Sequence, residues 1–252
     1  NWPAILMVHG LGDSGLAYAE AFSTPLADRY NLLVPDLIGY GRSQMGDGLD
    51  VSLGVQNGLM AALLAEWRLD RPDVLDHDFG GATALRAHYL DGCAYGSLTL
   101  VDPVAVAPWG SPFVAHVRDH EPAFAGLPAY AHEALLAAYI AGAAHRPLDE
   151  EALGVHMAPW LGETGQPAFY RQIAQMDQRF TDEVEPRYGP MDFPVTLLWG
   201  ERDDWIPIER GRALAEKLTG GRLTAIPEAG HLVQEDAPEA IFAAMMAMLA
   251  DR

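Results

Sequence analysis

The stretch VLDHDFGG, Val74 to Gly81, decides how the rest of the chain is read. An apolar run ends here, a turn with two glycines follows, and a helix-like segment, ATALRAHYL (82–90), begins. A strand that enters a helix through so sharp a turn lifts the residue at its apex clear of both elements. That residue is Asp78, with a second carboxylate, Asp76, two positions before it. A carboxylate is ionised near neutral pH, so Asp78 needs no base to become nucleophilic. It suits displacement at a saturated carbon bearing a strained or good leaving group better than attack on an ester.

Outward from this turn, apolar strands alternate with helical patterns. The strands read AILMVH (4–9), LLVPD (32–36), DVLDHD (73–78), SLTLVDP (97–103), VTLLWG (195–200) and RLTAIP (222–227). Helical patterns include VQNGLMAALLAEW (55–67) and EAIFAAMMAMLA (239–250), whose Met and Leu stripe reads as core packing. Near-continuous apolar strands separated by helices predict an α/β fold with a mostly parallel sheet covered on both faces. About 85 residues between the fourth and fifth strands carry no strand pattern. A structureless loop of that length does not suit a compact domain, so this segment is expected to be a helical cap. The expected division is a core of residues 1–107 and 192–252 with a cap over 108–191.

Composition narrows the function classes. The chain has 252 residues, 50% of them hydrophobic, and a formal charge of −19. So acidic a surface repels phosphate backbones and anionic lipid, which argues against nucleic-acid or membrane partners and for a small-molecule substrate. One cysteine, Cys93, rules out an intrachain disulfide. No apolar run reaches membrane-spanning length and no secretory leader pattern opens the chain, so a cytoplasmic protein is expected. The chain opens at Asn1 and enters a strand almost at once, so further residues before it are expected. No His or Cys cluster has metal-ligand spacing, and neither metal nor cofactor is implied. A homodimer is compatible with the sequence.

Five motifs stand in a telling order: HGLGDSG (9–15), PDLIGYGRS (35–43), VLDHDFGG, and late in the chain WGERDDWIP (199–207) and EAGHLVQEDAPE (228–239). Together they resemble the α/β-hydrolase superfamily over essentially the whole chain. An Asp at the nucleophile turn, in place of the serine of G-x-S-x-G, resembles the branch of epoxide hydrolases and haloalkane or haloacid dehalogenases. The resemblance implies Asp78 as nucleophile, His231 as the base that hydrolyses the resulting ester, and Asp203 as the acid that orients His231. Asp204 adjoins that acid, and Asp102 in LVDP competes with it. Backbone N–H groups of Leu11 and Phe79 are the expected oxyanion donors. Ser14 reads as a turn or cap hydroxyl, and His77 and His88 as packing or surface residues. Asp76 stands where a small residue is usual, and HGLG is more esterase-like than the rest.

The leaving group separates the substrates. A halide needs N–H donors, yet Phe79 beside the nucleophile has none; Trp109 and Trp160 in or near the cap are the candidates. An epoxide oxygen needs an acid. The segment AFYRQ resembles the epoxide-hydrolase segment that carries a cap tyrosine, which assigns that role to Tyr170. The region expected to hold its partner has His116, Arg118 and His120 instead, with Tyr130 and Tyr139 on the next helix as alternatives. The expected activity is epoxide opening to a diol. Dehalogenation is the alternative, followed by an esterase-like enzyme or a ligand-binding relative without turnover.

Overall fold

The computed structural model describes residues 3–10, 15, 26–46 and 48–250. Six parallel strands form one sheet: β1 (Ala4–Val8), β2 (Asn31–Leu33), β3 (Asp73–His77), β4 (Ser97–Val101), β5 (Val195–Gly200) and β6 (Thr224–Ile226), in the order β2-β1-β3-β4-β5-β6. β1 pairs with both β2 and β3, so the chain goes to one side of β1 and then returns to the other. Open sheets place their sites at such a reversal, outside the carboxyl ends of the strands. The register brings those ends level: Val8 pairs with Asp76, His77 with Val101, and Gly200 with Ile226. Whatever follows each strand therefore meets at one edge.

Side-chain alternation explains the two-faced core. Leu6 and Val8 of β1 turn to one face with Val74, Leu98, Leu100 and Trp199. Ile5 and Met7 turn to the other with Leu75, Val101 and Leu198. The first face is covered by α1 (Leu53–Glu66) and α2 (Phe79–Asp91). The second is covered by the last helix, Pro238–Ala250, which buries Ile241 and Met245 one turn apart. β2 is shorter than its sequence pattern. Pro35 has no N–H to give to a ladder, and β2 ends two residues before it. Asp36 then leaves the sheet, its carboxylate accepting from Gly15 N (2.7 Å) and Arg42 N (2.8 Å).

Among the described residues, every regular element between β4 and β5 is helical. These are α3 (Pro112–Ala125), α4 (Ala129–Ala141), α5 (Glu150–Met157), α6 (Gly162–Ala174) and α7 (Arg179–Asp182), with 3₁₀ turns at Ala158–Trp160 and Glu185–Arg187. Ser111 caps α3 through Val114 N, and Pro112 occupies its first turn, where a missing N–H costs nothing. Asp149 caps α5 by accepting from Ala152 N at 2.9 Å, with Glu150 and Glu151 favourably placed in the first turn. The remaining long helix is α8 (Ile208–Leu218), followed by the short α9 (Val233–Asp236) and α10 (Pro238–Ala250). None of these helices is long and apolar enough to cross a membrane, among the described residues.

Asp76 is the anomaly of the core. It is fully buried in β3 with the Val8 backbone beside it and, among the described residues, no well-formed hydrogen bond to either carboxyl oxygen. Burial pushes its pKa well above the ordinary 3.8. The unfolded chain releases this proton near pH 4 and the folded chain keeps it. Stability is therefore lost as pH rises from the unfolded value toward the folded one. Asp76→Asn keeps the shape and has no proton to lose. Thermal melts at pH 7 should show a higher midpoint than the parent, by about 2–4 °C for each kcal/mol recovered. The difference should vanish near pH 4. Equal midpoints at pH 7 would show that Asp76 carries no such cost.

Candidate active site

The turn after β3 is built by strain and by small residues. Asp78 has φ 48° and ψ −113°, a conformation that costs a non-glycine residue of order 1–3 kcal/mol and needs its surroundings to enforce it. The enforcement is visible. Asp78 N donates to Val101 O (3.2 Å), while Asp78 O accepts from Ala82 N and Val104 N, 3.1 Å each. Gly80 is required by the approach of β1, because a Cβ there would meet Val8 O at 2.2 Å. Gly10 is required on the other side, where a Cβ would lie 2.7 Å from the Asp78 Cβ. The turn therefore holds Asp78, only 3% exposed, at the N-terminus of α2, where unpaired N–H groups favour an anion. Phe79, the expected oxyanion donor, is the first residue of that helix. Its expected companion Leu11 lies outside the described residues, as does Ser14.

His231 follows β6 and reaches Asp78 from the far side of the sheet edge. Its Nδ1–H donates to Asp203 Oδ2 at 2.8 Å, and its Nε2 lies 3.7 Å from Asp78 Oδ1. The other oxygen of Asp203 accepts from Trp205 N and Ile206 N, both 2.8 Å, so the carboxylate is fixed before the imidazole binds it. Asp102, the competing acid, is fully buried at the end of β4 and accepts from Gly200 N at 3.0 Å. Its hydrogen bonding goes to the β5 backbone, and His231 Nδ1 is on Asp203. Burial and the neighbouring Asp203 charge push Asp102 well above the carboxylate range. For His231, burial opposes the charged ring, but Asp203 and Asp78 outweigh it and raise its pKa well above 6.5.

Three residues that sequence reasoning missed or discounted shape this loop. Asp236 is 2% exposed and its carboxylate accepts from Gly230 N, His145 N and Arg146 N, each at 2.8 Å. Leu232 N donates to Ala143 O at 3.1 Å. The backbone on both sides of His231 is thus bound to the chain that leaves α4. His77, read as packing, donates from Nε2 to His231 O at 2.9 Å. Trp205 stacks on the His231 ring, centroids 5.1 Å apart. The sequence signal for Trp205 was its position two residues after Asp203. Nothing in the local sequence pointed to Asp236.

Side chains from the helical segment between β4 and β5 share a pocket with Asp78. A cavity of about 40 Å³ is lined by Asp78, Val104, Trp109, Val114, Tyr139 and Trp205, among others. Trp109 packs edge-on to Phe79, and its indole N–H donates to Thr181 Oγ1 at 2.8 Å. Tyr170 corrects the expectation. It is fully buried on α6, within this helical segment, and is not among the cavity's lining residues. Its hydroxyl donates to His132 Nδ1 at 2.9 Å, because His132 Nε2–H is committed to Trp160 O. Burial pushes the Tyr170 pKa up to about 12. The tyrosine that lines the cavity is Tyr139, one of the two alternatives on α4; the other, Tyr130, is 78% exposed. Burial and the Asp78 charge raise the Tyr139 pKa, and its hydroxyl has no protein hydrogen-bond partner among the described residues. Trp160 is a buried packing residue against Tyr40 and Phe169. On α3, His116 pairs with His120 and Arg118 donates to Met176 O. Among the described residues no three His, Cys, Asp or Glu side chains converge as a metal-ligand set.

Comparison with known proteins agrees with this architecture. Residues 5–244 match the family model described as the alpha/beta hydrolase family. A crystal structure of an alpha/beta hydrolase fold protein from Burkholderia ambifaria is 56% identical, with a TM-score of 0.95 over 98% of this chain and 91% of that one. Haloalkane dehalogenase 2 of Mycobacterium tuberculosis is 25% identical over 97% of this chain and 87% of its own length. The 2-hydroxy-6-oxo-2,4-heptadienoate hydrolase of Pseudomonas putida is 24% identical over 91% of this chain and 83% of its own. With its six-stranded parallel sheet flanked by helices, the chain belongs to the alpha/beta hydrolase family.

Proposed function

We propose that this protein opens an epoxide through a covalent ester on Asp78, with residues 108–191 acting as a cap over the reacting carbon. The observation that carries the reading is the Tyr139 hydroxyl. It shares the cavity with Asp78 and no group among the described residues takes its proton, whereas the N–H of Trp109 and the O–H of Tyr170 are both committed. An epoxide oxygen leaves as a strongly basic alkoxide and needs such a proton; a halide does not.

In the first step the Asp78 carboxylate attacks a ring carbon, the carbon–oxygen bond breaks, and Tyr139 O–H protonates the departing oxygen. Once Asp78 is esterified, the His231 imidazolium gives up the proton that restores the Tyr139 phenol. In the second step the neutral His231 takes a proton from a water that attacks the ester carbonyl of Asp78, which regenerates the resting cation. The tetrahedral oxyanion would be held by Phe79 N–H and, by the family resemblance, Leu11 N–H. Collapse returns the Asp78 carboxylate and releases a diol. Electrostatics order the two steps. While Asp78 is charged, its carboxylate 3.7 Å from Nε2 helps hold His231 as the cation. Esterification neutralises Asp78 and removes that support, so the ring becomes a competent base only once there is an ester to hydrolyse.

A second reading, carbon–halogen cleavage, is favoured by one observation. The indole N–H of Trp205 has no protein partner among the described residues and its ring lines the same cavity, so it could receive a halide. The relative named a haloalkane dehalogenase points the same way.

Two outcomes test the proposal. Tyr139→Phe should slow ester formation from styrene oxide by about 10²–10⁴-fold, the usual range for a lost general acid, and leave ester hydrolysis intact. Tyr170→Phe should leave both steps near the parent rate. Quenched-flow intact mass follows the ester directly. Unchanged ester formation in Tyr139→Phe, together with bromide release from a bromoalkane, would favour the second reading. The pH dependence is equally specific. His231 must be neutral to accept a proton, so hydrolysis rises with pH through its pKa in the ester. That pKa should lie below the value for His231 in the resting protein, because the Asp78 charge is gone. An equal or higher value would contradict the ordering.

A further inference from the structure

The Nδ1 of His231 is hydrogen-bonded to Asp203, and its Nε2 lies 3.7 Å from Asp78 Oδ1, just beyond hydrogen-bond distance. Its ring faces are also bounded. Trp205 lies along it at 5.1 Å between centroids and 29° between planes, a stacked pair, and His77 lies tilted at 4.7 Å and 46°. The stacking residue is tied to the same carboxylate that binds the imidazole, since Trp205 N donates to Asp203 Oδ1 at 2.8 Å. The Trp205 ring also packs against Tyr139, centroids 4.6 Å apart.

We propose that Trp205 is a positioning residue for His231: its indole face holds the imidazole, above all as the imidazolium, in the plane that keeps Nδ1 on Asp203 and Nε2 directed at the Asp78 carboxyl. The inference rests on the reading of His231 as the base. A cation within about 6 Å of a tryptophan face is attracted by the ring quadrupole, more strongly when water is excluded. His231 is 1% exposed. The attraction grows as the ring gains its proton, so it lowers the barrier to ester hydrolysis and leaves the attack by Asp78 untouched. The charged and titratable groups that face His231 are Asp78, Asp203 and Asp102, with His77 against its ring. All four stay in place in Trp205 variants, so a change between variants reports the stacking.

The test titrates His231 by NMR in the full-length resting protein and times both chemical steps in single turnover with styrene oxide. Trp205→Leu is expected to lower the His231 pKa by about 0.4–1.5 units and to slow ester hydrolysis about tenfold, with ester formation unchanged. Trp205→Phe keeps an aromatic face, loses the N–H, and should retain most of both properties. Trp205→Met, also without a ring, replaces the leucine variant should that one not fold. An unshifted His231 pKa in the ringless variant overturns the assignment. Slowed ester formation with normal hydrolysis in both variants also overturns it, making Trp205 a leaving-group donor instead. The titration needs no substrate, so it decides the role of Trp205 even if Asp78 forms no ester; that failure would count against the functional reading alone.

Discussion

The tight turn at Asp78 is the constraint on which the rest of the site depends. A residue with φ 48° at the end of a buried strand survives only because the neighbouring strands and α2 hold it on every side. The price is paid in side-chain volume: Gly10 and Gly80 have no Cβ because the β1 backbone and the Asp78 side chain occupy that space. In return, a carboxylate stands at the switch point of the sheet with a helix N-terminus behind it. Substitution at either glycine would move β1 away from β3 and shift Asp78 relative to His231, without touching a polar group of the site.

Around that turn the chain buries three carboxyls, Asp78, Asp102 and Asp203, near one imidazole. Such a cluster is tolerable because its charges are not all expressed. Asp102 is driven toward its neutral form by burial and by Asp203, while His231 is driven toward its cation by Asp203 and Asp78. Asp203 is the member whose geometry is most completely specified, with two backbone donors on one oxygen and His231 on the other. Asp236 extends this order into the helical layer. Its three backbone donors join the loop of His231 to the end of α4, the helix that carries Tyr139. The candidate base and the candidate acid thus belong to one mechanically connected unit, although they lie far apart in sequence.

Much of this was legible in the sequence, for identifiable reasons. Apolar strands separated by helical patterns give a parallel sheet whose strand ends lie at one edge. It was the resemblance to the α/β-hydrolase superfamily that assigned Asp78, Asp203 and His231 to that edge, with Asp102 as the competing acid. The strandless stretch before β5 is helical, as its composition required. What failed was detail that depends on helix phase and long-range contact. AFYRQ placed Tyr170 by resemblance, but α6 turns that hydroxyl toward His132, and Tyr139 on α4 faces the cavity instead. Asp236 and His77 act through backbone groups of distant segments, which no local pattern encodes. Trp205 was quoted within its motif, yet its stacking on His231 appears only when β5 and β6 are set side by side.

The central claim is that Asp78 itself supplies the new oxygen of the product. It is tested most directly by single turnover of excess enzyme with styrene oxide in H₂¹⁸O, followed by mass analysis of the diol and of the peptide containing Asp78. Attack by the carboxylate transfers one of its own oxygens to the substrate, and water then restores the carboxylate. The account predicts an unlabelled diol from the first turnover and ¹⁸O in the Asp78 peptide. A labelled diol with an unlabelled Asp78 peptide would mean that water attacks the substrate directly, and would contradict the covalent mechanism.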